Sequence, residues 1–393
     1  MKAAVGASVM ASCPFAGRTE ASQIPVKARQ LTSGSQAKVF LAGVRKGGSE
    51  QGIKLAVRNA AEAATDFSWL SKGDAVFIKP VNNSGNPYPA TTSPTAIAAM
   101  VEILKEKGAR RVIVGDMSGV QYLRFFPTSL SGSSRALMTS SGMATVVQSS
   151  GAEMHCFEEG GWNAFYEDLP AAGSNWKRGI MMPNILKEVQ HIVLMPRCSR
   201  HILAGSSLGL KAAVGYWRHD TRLEYHRDAA TLQEKTAEGN TVTTLRTKQR
   251  LVISAADKLL ATYGPDKGYV FEPDNGLIIA SGSVVAHDMV SLAWLLENRS
   301  IIPVSEKDGF IDTSKFVPRV ANQMITGWLG GWGQALASET MTKNSLNTIW
   351  DDRVLTHSFD ILGGVPAILL EAANSALPEA LKNRLGRMTT FQA

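Results

Sequence analysis

The chain has 393 residues, 44% of them apolar and 19% charged, with a formal charge of +7. That much apolar material excludes a disordered chain, and no run approaches the ~18 apolar residues a membrane helix needs, so no transmembrane segment is expected in the mature chain. The basic residues are mostly dispersed rather than gathered along one helix, which argues against nucleic acid as a partner.

Taken in order, the chain opens with Lys2 ahead of a weakly apolar run rich in Ala, Gly and Ser. Residues 1–23 therefore read as an export leader or an unstructured N-terminus. Lys2-Ala3-Ala4-Val5-Gly6 is similar to the tail of twin-arginine signals, without the arginine pair. A periplasmic or otherwise exported protein is the expectation, a cytoplasmic one the alternative.

Val39-Phe40-Leu41 reads as a strand and residues 51–70 as a helix. Ala75–Pro80 is a short apolar run closed by proline, as a buried strand would be. An Asn/Gly/Pro-rich loop follows to Thr92. Ser93 can then cap a helix with Pro94 at its first position, where no N–H is needed. Ile97, Val101 and Leu104 line one face of that helix, Gly108 ends it, and Arg111–Asp116 is the next strand. This βαβ unit predicts two parallel strands. It places Lys79 and Asp116 on the carboxyl rim, where ligands collect in such sheets.

Further on, 133–150 reads as helix, and 158–176 as a loop carrying Trp162, Phe165, Tyr166 and Trp176. His191–Met195 before Pro196 repeats the buried-strand pattern. A long helix is expected over 241–263, with Val252, Ala255, Ala256, Leu259 and Leu260 on its core face. Leu277–Ser281 is the last clear strand, and Asp288 falls early in the helix after it. Helices are expected near 314–338 and 366–384. The fold class is α/β: a mostly parallel sheet flanked by helices, in two lobes with a cleft at the strand carboxyl ends. The core spans 24–297, in lobes of about 24–196 and 197–297. Residues 298–393 form a mainly helical extension packed on it.

The segment 197–227 carries six basic residues against two acidic ones, and three of the seven histidines. A small anionic ligand is the natural partner for such a concentration. The three cysteines, Cys13, Cys156 and Cys198, form no Cys-x-x-Cys pair, so no iron–sulfur cluster held by this chain alone is expected. One Cys156–Cys198 bond stays open.

Several motifs occur in a recognisable order: Lys79-Pro80-Val81-Asn82, Thr92-Ser93-Pro94, Gly115-Asp116, Pro196 before His201, Lys211 to Gly215, His226, and Val285-Ala286-His287-Asp288. Together, over roughly 37–297, they resemble the family called domain of unknown function 362. Val81 and Ala212 stand where that family's pattern has Asn, and the ferredoxin-like insert of many members is missing. The order His201, Lys211, His226 is also similar to the nickel-pincer lactate racemases. In those enzymes a lysine holds the cofactor, one histidine ligates the metal and others move protons.

The expected site follows from these strands and that resemblance. His201, Lys211 and His226 are the catalytic candidates, because imidazole can ligate a metal or move protons near neutral pH and a desolvated lysine is a nucleophile. His201 and His226 are also the candidate ligands of a transition metal. Lys79, Asn82, Asp116, Arg218 and Asp288 are the candidates for holding the ligand or cofactor. The functional expectation is proton-transfer or metal-assisted chemistry on a small carboxylate. Its alternative is a non-catalytic metal or anion carrier, or an accessory protein docking on a redox partner through the 158–176 loop.

Overall fold

Alternation along one strand shows how the layers form. Val76 and Ile78 point into one apolar cluster, whereas Ala75 and Phe77 point into another on the opposite face of the sheet. The computed structural model describes residues 33–299, 301–306, 316–344 and 346–391; the segment 1–23 lies outside them.

Eight strands make the central sheet: β1 Ser33–Arg45, β2 Ala75–Pro80, β3 Arg111–Asp116, β4 Glu153–Cys156, β5 His191–Met195, β6 Gln249–Ala256, β7 Asn275–Ser281 and β8 Val365–Ala372. Their order is β8-β1-β7-β6-β5-β2-β3-β4. Only β7 runs against the rest, being antiparallel to both its neighbours. The carboxyl ends of the other seven therefore share one rim. The sheet is mostly parallel and the fold α/β, as the sequence implies.

Helices α1 Glu50–Ala64 and α2 Pro94–Glu106 cover one face. Ser49 and Ser93 cap them by accepting the amides of Gly52 and Ala96. The expected 133–150 helix is broken into α3 Ser134–Ser140 and α4 Met143–Ser149 by Gly142, whose φ is 82°. On the other side lie the one-turn α5 Gly209–Ala212, α6 His219–Arg227, α7 Val284–Arg299, α8 Phe316–Gly330 and α9 Glu379–Thr389.

Two segments expected to be helical are strands. The helix expected over 241–263 is a short turn, Thr243–Lys248, followed by β6. The run Leu251–Ala256 is buried on both faces between β5 and β7. A strand buried twice reads as a continuous apolar run, which periodicity cannot tell from a helix. Likewise Val365–Ala372 is not helical. It is β8, parallel to β1, so the C-terminal extension contributes a strand to the core sheet before α9.

The sheet takes strands from both sides of residue 196, and all described residues belong to one compact unit. Of the segment expected as a second lobe, β6 and β7 belong to the central sheet, and the rest is helices plus a small sheet of Gly205–Ser207, Ser199–His201, Leu259–Leu260 and Val270–Phe271. The aromatic loop is turned largely inward. Phe165 and Trp176 are buried, and Trp176 meets Trp217 edge-on at 5.0 Å.

Candidate functional site

The site begins with two strand ends. Lys79, near the end of β2, puts Nζ 2.8 Å from Oδ1 of Asp116, the last residue of β3, and 2.7 Å from its neighbour Pro80 O. The same carboxylate accepts the amides of Asn82 at 2.7 Å and Met117 at 2.9 Å. Burial pushes Lys79 below the usual lysine range, and Asp116 offsets part of that. A Cβ at Gly215 would collide with both charged groups, so only glycine lets the cap's backbone approach this pair.

Over this floor lies a cavity of about 370 Å³, lined by Lys79, Asp116, Arg197, His201, Lys211, Arg222 and His226 among others. Arg197 and Arg222 are buried, and neither makes an ion pair with a carboxylate among the described residues, although Asp266 and Asp116 favour the charge of Arg197 from a distance, and Asp116 and Glu158 that of Arg222. Arg197 donates to Ser207 Oγ and to the carbonyls of Pro265 and Ala90. Arg222 donates to the carbonyls of Met117, Ser118, Gly215 and Trp217. Burial holds each guanidinium down to about 10. Carbonyl dipoles satisfy the N–H groups without cancelling the charge, so the cavity keeps a surplus of positive charge.

Lys211 stands apart from the other lining cations. It makes no hydrogen bond or ion pair with any described residue, and only the Tyr225 ring lies beneath it, 5.9 Å away. Burial, then Arg197, Arg222 and Lys79, push its amine down to about 7. Its backbone is fixed from behind. Asp288 accepts the first two amides of α5, Gly209 and Leu210, at 2.8 and 2.7 Å. His287 in turn donates from Nδ1 to Asp288.

The two histidines present opposite faces to the cavity. His201 Nδ1 accepts the amides of Leu203 and Ala204, at 3.1 and 3.2 Å, so neutral His201 carries its proton on Nε2. His226 Nδ1 lies 2.8 Å from Asn322 Oδ1. The Asn322 amide is oriented by donating Nδ2 to His226 O, so neutral His226 carries its proton on Nδ1 and leaves Nε2 a free lone pair. Burial, assisted by Lys211, holds both imidazoles neutral: His201 well below its ordinary value, and His226 at about 3.

This pattern corrects the metal assignment at His201. Ligation through Nε2 needs the proton on Nδ1, where two amide hydrogens already point. His226 does fit a ligand, through Nε2. Among the described residues no three His, Cys, Asp or Glu groups are gathered to hold an ion. The residues therefore fit one bond from His226 to a metal whose other donors arrive with a cofactor, and do not fit a metal centre built by the protein alone.

Five expected residues meet at the cavity: Lys79, Asp116, His201, Lys211 and His226. Three others do not line it. Asn82 ties the loop to Ser118 and to Ser134 O. Asp288 sits behind α5. Arg218 is held in a bidentate pair with Asp220, 4.2 Å over the Trp162 ring. Arg222 makes no ion pair with Asp220 or Glu224 among the described residues, because its side chain points inward. Cys156 and Cys198 are buried, free and in different clusters.

Sequence reasoning also missed Asp266 and the whole wall from α8. Asp266 takes part in bonds with Asn83, Ser84 and Tyr122. The signal for α8 was the buried row Pro318, Asn322, Thr326 and Leu329 at helical spacing, with a polar pair at its centre.

The family model for a domain of unknown function (DUF362) matches residues 76–293, more than half of the chain. The chain belongs to this family. All five cavity residues fall inside the DUF362 match, whereas α8 falls outside it. No curated protein matches the sequence. A solved structural-genomics protein from Thermotoga maritima is similar with 12% identity and a TM-score of 0.33, covering 59% of this chain and 54% of its own. The chain thus spans about half the length of that protein. The lactate racemase apoprotein from Thermoanaerobacterium thermosaccharolyticum is similar with 10% identity and a TM-score of 0.38, over 88% of this chain and 86% of its own. No helix among the described residues is long and apolar enough to cross a membrane.

Proposed function

We propose that the cavity binds a small carboxylate and moves a proton on it. The observation that carries this is Lys211, a lining cation without a hydrogen-bonding or ionic partner among the described residues, in a cavity where two further guanidinium groups make no direct ion pair. A carboxylate entering there completes the charge balance. It also offsets the charges that depress His226 and raises its basicity.

In this reading Lys211 binds the carboxylate. His226 Nε2 takes a proton from the adjacent carbon, and the electron pair passes onto the carboxylate oxygens. His201 Nε2–H donates to those oxygens as a neutral imidazole, stabilising charge only as it develops. His226 then returns the proton to carbon, so the net result is exchange with solvent. The test is calorimetric binding of propionate together with NMR detection of deuterium entering its α-carbon in D2O. Binding that weakens at least about tenfold in Lys211→Met, and exchange that vanishes in His226→Gln, are expected. Unchanged binding in Lys211→Met would overturn the proposal.

A second reading is favoured by the Lys211 amine and the His226 lone pair lining one cavity: a metal-bearing cofactor held by those two residues. A metal there would add Lewis-acid stabilisation of the carboxylate. Elemental analysis and an absorption spectrum of protein from its native host test it, and metal-free protein with full exchange activity would remove it. Export remains a proposal resting on the leader-like segment alone, and fractionation leaving the protein in the cytoplasm would refute it.

A further inference from the structure

The charged floor accounts for only one side of the cavity. The same cavity has apolar lining as well: Val120, Ile202, Val214, Met324, Ile325 and Trp328, the last three from α8. Neither a proton nor a bare carboxylate group needs such a wall. The volume, about 370 Å³, falls within the ~300–1,000 Å³ range of sites that enclose drug-sized ligands, well beyond the needs of a two- or three-carbon acid.

The wall is not simply core. Met324 is 44% exposed while also lining the cavity, so α8 forms an edge between the interior and solvent. Behind it, Asn322 and Thr326 are buried, and Asn322 is bonded to His226. One helix thus fixes the histidine with its polar row and offers apolar side chains to the same space with the adjacent row. A ligand whose carboxylate reaches Lys211 shares its cavity with these apolar side chains.

We infer that the ligand is an amphipathic carboxylate, with its charged end at Lys211 and an apolar tail of several carbons, aliphatic or aromatic, against the α8 wall. This rests on the carboxylate reading above and adds the class of carboxylate. Each methylene that leaves water for such a wall tightens binding about fourfold, so three methylenes give about 50-fold. A short acid would leave the apolar surface wetted and gain none of this.

The experiment compares propionate, hexanoate and hexanol by calorimetry on the full chain, with wild type and Ala321→Phe, a substitution that fills the tail space from α8. Hexanoate is expected to bind about 50-fold more tightly than propionate. Ala321→Phe is expected to remove most of that gain and leave propionate unchanged, with circular dichroism confirming the fold. If Ala321→Phe unfolds, Ile325→Ala replaces it and is expected to shrink the gain. Equal affinity for the two acids overturns the tail inference while the carboxylate reading stands, as does a hexanoate gain that persists in the variants. Hexanol binding as well as hexanoate overturns the carboxylate reading and leaves the apolar site. No binding by any of the three overturns both.

Discussion

Two clusters of buried charge flank helix α6, and they are built to opposite ends. On one side Lys235, fully buried, lies 3.2 Å from Glu224 and 3.0 Å from Asp228. Lys177, Arg178 and Arg227 reach the same two carboxylates from the surface. Each charge there makes a direct ion pair, four cations sharing two carboxylates. On the other side Arg197, Lys211 and Arg222 face a cavity whose Asp116 is already committed to Lys79. A saturated cluster holds helices together. A cluster whose buried cations lack direct ion pairs spends stability on readiness for an anion, because a buried charge without a contacting counter-charge carries its desolvation cost in the empty protein.

The comparison breaks most sharply at the two lysines. Lys235→Met should cost about 1–3 kcal/mol in urea denaturation, since it removes the buried partner of Glu224 and Asp228 and leaves them only the cations that reach them from the surface. Lys211→Met should cost nothing or stabilise the protein. Equal losses in the two variants would dissolve the contrast. In binding the order reverses: Lys211→Met should weaken carboxylate affinity roughly 10- to 100-fold, the worth of a charged hydrogen bond in a dry site.

Asn322→Ala probes the link between α8 and the histidine. Without its acceptor, the Nδ1 proton of His226 is no longer fixed. Proton exchange on the bound carboxylate should slow about tenfold, with a shifted pH profile and nearly unchanged affinity. A change confined to affinity would mean that Asn322 only shapes the cavity.

The pH dependence has a definite sign. Lys211 titrates at about 7 in the free protein, so anion affinity should fall up to tenfold per pH unit above 7, and Lys211→Met should lack that slope. His226 is lowered to about 3, so between roughly 6.5 and 3 the unfolded chain binds a proton that the folded one refuses. Stability contributed by the neutral imidazole is therefore lost as pH falls through that window, and His226→Gln should flatten the loss. The smallest effect belongs to Arg218→Ala, which should leave carboxylate affinity within about twofold, because its partners Asp220 and Trp162 lie outside the cavity.

Lys79 and Asp116 were legible because proline or an acidic residue closes an apolar strand, and strand ends in parallel sheets share a rim. His201 and Lys211 were legible as polar groups just beyond a third such strand. Asp288 was misplaced because its motif marks a helix start, and a carboxylate there can serve a ligand or an amide equally well. Here Gly209 and Leu210 occupy it. Arg218, expected to hold the ligand, pairs with Asp220 instead, whereas Arg222, four residues on, turns into the cavity.

The sequence by itself determined the parallel strand ends, the capped helices and the cationic segment, because each depends on neighbours within a few residues. Tertiary structure alone decided that β6 and β8 are strands, which tautomer each histidine holds, and that α8 closes the cavity. Those outcomes depend on which distant group arrives to accept a hydrogen bond or cover an apolar face, and such arrivals leave no local pattern in the chain.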